Sequence, residues 1–318
     1  MPAMPASHHP ESSAPRPLIW LPASELAAFR TAGTNAHRIA SGSDAWIERF
    51  ADDALLSFKS DEARDAALAE LPAWSEQHAL PLRRVFGKFI PRQNAERIAP
   101  TLLSGDPALP LASVVEESGL RYAVDFAAGY SAGLFIDQRG NREFIRRAGV
   151  RRLLNTFAYT CAFSVAAAAA GAETVSVDIS KKSLERGREN FALNHLDPAP
   201  HRFLIDDVLD VLPRLARRGE RFDAIILDPP TFSRGNNGRR FQVEHDLEAL
   251  LVAALEVATP NARILISTNC ARLDRPAIER LVRYTLKLTR RSADFHRESD
   301  LPDVPVKFAA CATWLLLR

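Results

Sequence analysis

The segment from Phe222 to Ser233, which reads FDAIILDPPTFS, constrains the fold of this chain most. Its first half is a continuous apolar run, typical of a parallel strand that is buried on both faces. The run ends at Asp228, and Pro229 and Pro230 follow it. Proline lacks an N–H group and forces its predecessor into an extended conformation, so the strand must stop there. The pattern therefore predicts a carboxylate at the carboxyl end of a buried strand, where open α/β sheets bind their ligands.

The second half of the chain repeats the order strand then helix, which predicts an α/β fold with a parallel sheet and helices on both faces. Apolar runs that predict strands lie at 153–154, 175–177, 203–205, 224–227 and 262–268, and two further strands are expected at the C-terminus. Helices are predicted at 142–148, 164–171, 183–194, 208–218, 247–258 and 274–289.

The chain divides into three predicted parts: a disordered tail with a short helix (1–35), a small α+β domain with a linker (36–113), and a large α/β domain (114–318). In the small domain, residues 37–58 predict two strands around a Ser-Gly-Ser-Asp turn, and 61–78 predict an amphipathic helix. Glycine and prolines near 102–113 predict the linker. The large domain is expected to open with a hairpin over 116–137, with Gly129 between its strands.

Composition narrows the classes of protein that are possible. Hydrophobic residues make up 47% and charged residues 25%, as in a globular protein with a sizeable core. Cys161, Cys270 and Cys311 are too few and too scattered for a disulfide framework or a zinc site, which predicts a reducing, cytoplasmic location and no metal. Apolar runs are too short to span a bilayer. Since the formal net charge is +2, attraction to nucleic acid must come from local basic patches.

The turn after the first predicted parallel strand, residues 155–163, contains no glycine. Dinucleotide-binding and P-loop proteins need glycine there, because their backbone closely approaches a phosphate. Asp178 on the second strand can accept hydrogen bonds from ribose hydroxyls, and Asp207 after the third can accept one from an adenine amino group. Either residue alone is equally consistent with a cap or turn role. Together with Asp228 they predict an adenosine pocket without a phosphate site, which suits S-adenosylmethionine.

Several motifs resemble those of bacterial large-subunit ribosomal RNA methyltransferases of the RlmI/RlmK type. They are NTFAYTCAF, VDIS, ENFALNHL, DDVLDVL, FDAIILDPPTFS and VEESGLRYAVDFAAGYSAGLFIDQR. The resemblance is strong from about Glu116 to the C-terminus and weak over residues 37–115. It implies a class I methyltransferase (Rossmann-like) fold with a seven-stranded, mostly parallel sheet, preceded by a small α+β domain, and S-adenosylmethionine as the methyl donor.

The matching motif positions imply a set of site residues. Those expected to border the donor are Gln138, Arg139, Asn155, Phe157, Tyr159, Asp178, Ile179, Asp207, Val208 and Asp228. Those expected to reach the target base or its RNA are Pro230, Thr231, Phe232, Arg234, Arg239 and Arg240. Asp228, Pro229 and Cys270 are the expected catalytic residues. The basic segment SRGNNGRR (233–240) is the one charged cluster that we favour as an RNA contact, because it follows the Asp228 strand.

The resemblance also predicts the partner. The expected substrate is a base of large-subunit rRNA or of a ribosomal precursor, no membrane contact is expected, and the chain is a monomer or a homodimer. Proteins of the RlmI type carry an N-terminal PUA RNA-binding domain, and residues 1–35 are too short for one. The resemblance therefore leaves open how the chain docks on RNA.

Cys270 has three interpretations. In relatives that modify cytosine, this position holds a thiolate that adds to carbon 6, so that carbon 5 becomes nucleophilic and Asp228 stabilises the adduct. Alternatively, the enzyme methylates guanine N7, which is already nucleophilic and needs only positioning. In the third interpretation the residue is a small buried hydrophobe.

Two broader alternatives also remain open. In the first, the chain is a methyltransferase for protein or small molecules, which would not need the basic segment 233–240. In the second, it is a non-catalytic S-adenosylmethionine-binding factor in RNA or ribosome assembly.

Overall fold

The computed structural model describes residues 16–91, 98–235 and 238–318. The described residues form a six-stranded sheet, a seven-stranded sheet and two two-stranded hairpins. Residues 1–15 of the predicted tail, and Asn236 and Asn237 of the basic segment 233–240, lie outside the described residues. No helix in the described part of the chain is long and apolar enough to cross a bilayer.

The first sheet is antiparallel except for one parallel pair, β4 with β5. Helix α2 makes the crossover between these two strands, and the Ser60 hydroxyl caps its first turn by accepting from the Ala63 N–H at 3.3 Å. The elements in chain order are β1 Ile19–Trp20, α1 Ala23–Thr31, β2 Ala36–Ser41, β3 Ala45–Phe50, β4 Asp53–Phe58, α2 Asp61–Gln77, β5 Arg84–Phe89 and β6 Thr101–Gly105.

Two predictions for this region are wrong in detail. Residues 37–58 form three strands rather than two, because a second tight turn at Ala51, with φ of 57°, separates β3 from β4. The stretch predicted as a linker contains most of β6, which pairs with β5 despite the prolines on either side. The division into domains itself stays a prediction.

The hairpin was predicted at the wrong glycine. It is formed by β7 Ala112–Glu117 and β8 Leu120–Asp125, and its turn is Ser118–Gly119. Both turn residues have positive φ, 51° and 78°, as a two-residue hairpin turn with the right twist requires. Gly129 lies beyond the hairpin, in a segment without strand structure.

The second sheet has the predicted seven strands, in the order β11-β10-β9-β12-β15-β17-β16. The first five are parallel, and β17 and β16 are antiparallel additions. The elements are α3 Arg139–Arg147, β9 Arg152–Thr156, α4 Ala162–Ala169, β10 Glu173–Asp178, α5 Lys181–Leu193, β11 Arg202–Ile205, α6 Val208–Arg217, β12 Phe222–Leu227, β13 Phe232–Arg234, β14 Arg240–Gln242, α7 Val243–Val257, β15 Ala258–Thr268, α8 Arg275–Leu288, β16 Ala293–His296 and β17 Cys311–Leu317.

Strand β12 lies in the middle of this sheet and is buried on both faces, as its apolar run predicts. Ile225 packs with the core under α6, α7 and α8, whereas Ile226 packs with the core on the other face. The α/β fold with helices on both faces is therefore confirmed, and all five parallel strands end at one edge of the sheet.

The two sheets share a core. Phe86 of β5 stacks on Phe126 at 4.1 Å between ring centroids, and Phe50 of β3 meets the same ring edge-on. The backbone N–H of Arg38 in β2 also donates to Asp303, close to the last strand. The first sheet is thus fixed against the second by apolar packing and by buried polar contacts.

Candidate active site

A cavity of about 1120 Å³ opens at the carboxyl edge of the parallel strands. Its walls come from the segment after β8, the turns after β9, β10 and β11, and the chain that follows β12 and β15. The predicted site residues that line it are Gln138, Asn155, Phe157, Tyr159, Asp178, Ile179, Asp207, Val208, Asp228, Pro229, Pro230, Thr231, Phe232 and Cys270.

Four predicted site residues lie outside this lining. The guanidinium of Arg139 is turned away toward the buried carboxylate of Asp303, to which Nη1 donates at 3.3 Å, and it covers the ring of Phe29. Arg234, Arg239 and Arg240 are exposed on the hairpin formed by β13 and β14. Arg139 therefore lies outside the cavity, next to Gln138, which lines it, and the three arginines lie on the hairpin whose Phe232 and Phe241 line it.

The Asp178 carboxylate is held at the end of β10 by two backbone groups. Its Oδ2 accepts from the Tyr159 N–H at 2.8 Å, and its Oδ1 accepts from the Ser180 N–H at 2.8 Å. Burial raises the pKa of Asp178, and the two amide hydrogen bonds partly offset that rise. Each carboxylate oxygen keeps a further lone pair, so Asp178 can still accept from a diol in the cavity.

The glycine-free turn after β9 adopts a conformation that glycine usually provides. Phe157, Tyr159 and Cys161 have φ values of 52°, 47° and 59°, in the left-handed region. Such residues are typically strained by about 1–3 kcal/mol each and persist where surrounding contacts hold them. Here the Ala158 N–H donates to Val177 at 3.0 Å, and the Tyr159 N–H donates to Asp178.

Residues 131–133 form the opposite wall and are held by three hydrogen bonds to their carbonyl groups. The Tyr159 hydroxyl donates to Ser131 at 2.8 Å, Arg186 to Ala132 at 2.9 Å, and the Thr160 hydroxyl to Gly133 at 2.6 Å. The same turn that carries the Asp178 contact thus also fixes this wall. The sequence predicts strand structure here, within the hairpin expected over 116–137, whereas residues 126–135 contain no strand.

Asp207 has two neighbours of different kinds. Its Oδ1 caps helix α6 by accepting from the Leu209 N–H at 2.9 Å. On its other side lies Gly235, where an added Cβ would meet the Asp207 Oδ2 at 2.3 Å. The hairpin of β13 and β14 therefore folds back over the Asp207 end of the cavity. Of the basic segment 233–240, Ser233 and Arg234 belong to β13 of this hairpin and Arg240 begins β14.

Asp228 stands directly after β12, beside Ser267 of β15, because Leu227 pairs with Ile266 in the parallel register. Burial is the main cause that raises the pKa of Asp228 to about 6; a hydrogen bond from Ser267 lowers it, nearby Asp137 raises it and Arg142 lowers it. At neutral pH the side chain is mainly a carboxylate.

Cys270 is 6% exposed, faces the cavity, and also packs in the core beneath α7. Its Sγ donates to Glu244 Oε1 at 3.3 Å, and Arg272 Nη1 donates to Glu244 Oε2 at 3.3 Å. The hydrogen bond from Cys270 is the main cause that lowers the pKa of Glu244. Glu244 lines the cavity and was missed, because a glutamate in the first turn of a helix is ordinary.

The residues present fit S-adenosylmethionine. Three strand-end carboxylates, aromatic side chains and a turn without a phosphate-binding glycine suit an adenosine group, and the volume leaves space for a second ring. Within residues 16–91, 98–235 and 238–318, no group of three or more His, Cys, Asp and Glu side chains could hold a metal ion.

Comparison with known proteins agrees with this geometry. Residues 66–312 match the family described as S-adenosylmethionine-dependent methyltransferase. The sequence is 32% identical over 235 residues to ribosomal RNA large subunit methyltransferase I of Shewanella denitrificans, covering 71% of this chain and 57% of that protein. It is 37% identical over 193 residues to YwbD of Bacillus subtilis, provisionally named a ribosomal RNA large subunit methyltransferase, covering 60% and 48%. The chain thus spans about half the length of these curated relatives.

Two solved structures are similar over most of the chain. SMU.776, crystallised in complex with SAH, superposes with a TM-score of 0.79 at 28% identity, covering 92% of this chain and 78% of that one. A SAM-dependent methyltransferase from Agrobacterium tumefaciens superposes with a TM-score of 0.69 at 24% identity, covering 89% and 90%. The second likeness concerns the fold alone.

Proposed function

The chain belongs to the S-adenosylmethionine-dependent methyltransferase family, and we propose that it methylates a base of RNA, specifically of large-subunit ribosomal RNA. One observation carries the proposal: Asp178, Asp207 and Asp228 line a single cavity, and a hairpin with three exposed arginines stands at its mouth. A methyltransferase for small molecules or proteins would have no need of that basic hairpin.

S-adenosylmethionine is the methyl donor and supplies an electrophilic methyl group on a sulfonium. In our proposal Asp178 accepts from the ribose hydroxyls, while Asp207 and Val208 border the adenine. Asn155, Phe157, Tyr159 and Gln138 form the remaining walls. The buried turn after β9 positions these groups before any ligand binds, so little ordering has to accompany binding.

For the acceptor, the first candidate reaction is methylation of cytosine at carbon 5. The Cys270 thiolate would add to carbon 6, and Asp228 would hydrogen-bond the ring, which makes carbon 5 nucleophilic toward the donor. Carbon 5 would then accept the methyl group, with the donor leaving as SAH, and a base would remove the carbon 5 proton, so that its electron pair re-forms the ring double bond and expels the Cys270 thiolate. Support comes from the position of Cys270 on the cavity wall, two residues after the end of β15, which is the strand next to β12.

A second candidate, methylation of guanine N7, is favoured by the contact between Cys270 and Glu244. There the Cys270 thiol is the hydrogen-bond donor to Glu244 Oε1 at 3.3 Å, and attack on carbon 6 would require the sulfur to give up that bond. Nitrogen chemistry avoids this, because Asp228 and Asn269, which also lines the cavity, would only have to hold the base.

The hairpin is the proposed RNA contact. Arg234, Arg239 and Arg240 are exposed, and Phe232 at its base is 46% exposed and lines the cavity mouth. Arginines bind phosphates and an exposed ring can stack on a base, a combination that single-stranded RNA favours. The target base would enter between Phe232 and the strand ends.

Mass mapping of ribosomal RNA from a strain lacking the gene tests the proposal and separates the two reactions. We expect one fragment of large-subunit rRNA to be lighter by one methyl group, with restoration by the wild-type gene and not by Asp228→Ala. A change at cytosine would support the first candidate, and a change at guanine the second. Unaltered ribosomal RNA together with donor binding by the pure protein would favour a non-catalytic assembly factor or another substrate.

A further inference from the structure

A buried chain of hydrogen bonds connects the last strand of the sheet to Asp228. We propose that Trp314 is a positioning residue, which acts through Asn141, Gln138 and Ser267 to aim the Ser267 hydroxyl proton at the Asp228 carboxylate. The inference deepens the proposed function, since it assumes that Asp228 is the group that faces the acceptor base. It assigns a task to a side chain that does not line the active-site cavity.

The links of the chain are short and continuous. The Trp314 Nε1–H donates to Asn141 Oδ1 at 2.9 Å, and Asn141 Nδ2 donates to Gln138 Oε1 at 2.8 Å. Gln138 Nε2 donates to Ser267 Oγ at 2.7 Å. Ser267 lies beside Asp228, because Leu227 pairs with Ile266 in the parallel register, and hydrogen bonding from its hydroxyl lowers the pKa of Asp228. Four parts of the structure contribute: β17 with Trp314, α3 with Asn141, the turn leading into α3 with Gln138, and β15 with Ser267.

The direction of the chain follows from its first member. An indole N–H can only donate, so Asn141 must present its oxygen to Trp314 and its amide hydrogens to Gln138. Gln138 must then accept with its oxygen and donate with its nitrogen to Ser267. The Ser267 oxygen is thereby used as an acceptor, and its own proton is left for Asp228. Without the indole, both amides could rotate by 180° and reverse every link.

Burial restricts the amides of Asn141 and Gln138 to one orientation. Trp314 and Ser267 are fully buried, Gln138 is 3% exposed and Asn141 is 8% exposed. In such surroundings an unpaired amide or hydroxyl loses more free energy than the bond itself contributes, and aligned bonds strengthen one another. These four side chains therefore satisfy all their hydrogen bonds in one arrangement only, and in that arrangement the Ser267 hydroxyl donates to Asp228.

Asp228 needs such a donor because its surroundings otherwise disfavour charge. The charged groups that face it are Asp137, which repels it, and Arg142, which attracts it but is already paired through two 2.6 Å hydrogen bonds with Glu117. Burial and Asp137 raise the pKa of Asp228, and the hydrogen bond from Ser267 lowers it. Without that hydrogen bond the pKa would be higher, and Asp228 would stay protonated to higher pH. A protonated Asp228 would be a weaker acceptor for the base and would carry no charge to stabilise positive charge on it.

The test measures the titration of Asp228 directly, by ¹³C NMR of protein labelled at the aspartate carboxyl carbons, with the signal assigned from Asp228→Asn. Trp314→Phe removes the remote N–H, and Ser267→Ala removes the terminal donor. We expect each to raise the Asp228 midpoint by about one pH unit, the size expected for one hydrogen bond to a charged group. The double variant should show no further rise, since both act through one chain.

Phe144→Leu is the matched control. Phe144 packs on Trp314 at 4.5 Å between ring centroids but has no place in the chain, so this variant disturbs packing and should leave the midpoint unchanged. If Trp314→Phe does not fold, Asn141→Leu interrupts the same chain one link further on and must give the same rise.

The outcomes distinguish the role of Trp314 from the proposed methylation of RNA. A folded Trp314→Phe or Asn141→Leu protein with the wild-type midpoint would overturn the inference, as would an equal rise in Phe144→Leu. If the Asp228 midpoint rises in Trp314→Phe and Ser267→Ala but the wild-type protein methylates no RNA, the hydrogen-bond series is supported and the proposed function is contradicted. Where methylation is measured, the acidic limb of kcat/KM should move with the NMR midpoint.

Discussion

The backbone N–H of Tyr159 donates a 2.8 Å hydrogen bond to the carboxylate of Asp178, and this contact joins the turn after β9 to the end of β10. Tyr159 makes it from the left-handed region, at φ of 47°. Its hydroxyl reaches across the cavity to the Ser131 carbonyl. Tyr159 therefore connects the Asp178 carboxylate, the turn after β9 and the wall at Ser131, so a mutation of Tyr159 should affect all three.

The wall opposite the turn should be sensitive to a single methyl group at Gly133. This residue has φ of +133°, and an added Cβ would lie 2.8 Å from the Ala123 carbonyl oxygen. Gly129 has nearly the same φ, +136°, but open space around its Cβ position. We expect Gly133→Ala to lower the free energy of unfolding by about 2 kcal/mol more than Gly129→Ala, as a core clash adds to backbone strain. Equal losses in urea denaturation would contradict the packing of this wall.

Asp228 should make stability depend on pH. Because its pKa is raised to about 6 in the folded state, above the value of an unfolded chain, the folded state binds this proton more tightly. Stability then falls as pH rises from about 4 toward about 6, and the loss persists above that range. We expect Asp228→Asn to stabilise the protein by about 2 kcal/mol at pH 8 and by much less near pH 4. Equal effects at the two pH values would show that Asp228 is not charged in a buried setting.

The thiol of Cys270 decides between the two candidate reactions. RNA that carries 5-fluorocytosine at the target should trap a covalent complex if Cys270 adds to carbon 6, because the fluorine at carbon 5 cannot leave as a proton does. We expect a complex stable to denaturing electrophoresis for wild type and for Cys311→Ala, and none for Cys270→Ala. If methylated RNA forms but no complex appears with the wild-type protein, the nitrogen reaction is favoured.

The hairpin arginines should control affinity for RNA through its phosphates. We expect Arg240→Gln to weaken RNA binding and to reduce the slope of log affinity against log salt by about 1, which is the effect of losing one phosphate contact. Arg280→Gln is the control, since Arg280 is exposed on α8, outside the cavity lining. The same loss in both variants would indicate only an effect of net charge.

The order of elements and the strand-end carboxylates could be predicted because their signals are local. Apolar runs mark buried strands, and short polar side chains begin the helices that follow: Ser180 caps α5 by accepting from the Ser183 N–H at 3.1 Å, and Asp274 caps α8. The acidic residues at strand ends then share one edge of the sheet, because parallel strands end on the same side.

What escaped prediction depends on contacts between residues far apart in the chain. Glu244 matters because it meets Cys270, 26 residues later, and only the packing of α7 beside β15 brings them together. The hairpin turn places Ser118, which is not a glycine, at positive φ. The sequence instead favours a turn at Gly129, because glycine adopts positive φ easily. Like Ser118, Tyr159 escaped prediction, since an ordinary residue in the left-handed region leaves no mark in sequence.

The central claim is that the strand-end carboxylates converge on one methyl donor, and calorimetric titration with SAH tests it most directly. Asp178→Asn removes the charge that would hold the ribose, and Glu173→Gln changes an exposed residue at the other end of the same strand. We predict that wild type and Glu173→Gln bind with the same affinity and that Asp178→Asn binds at least about tenfold more weakly, as expected when a charged hydrogen-bond acceptor is lost. Titrations without heat for the wild type, or with equal affinity for all three proteins, would contradict the claim.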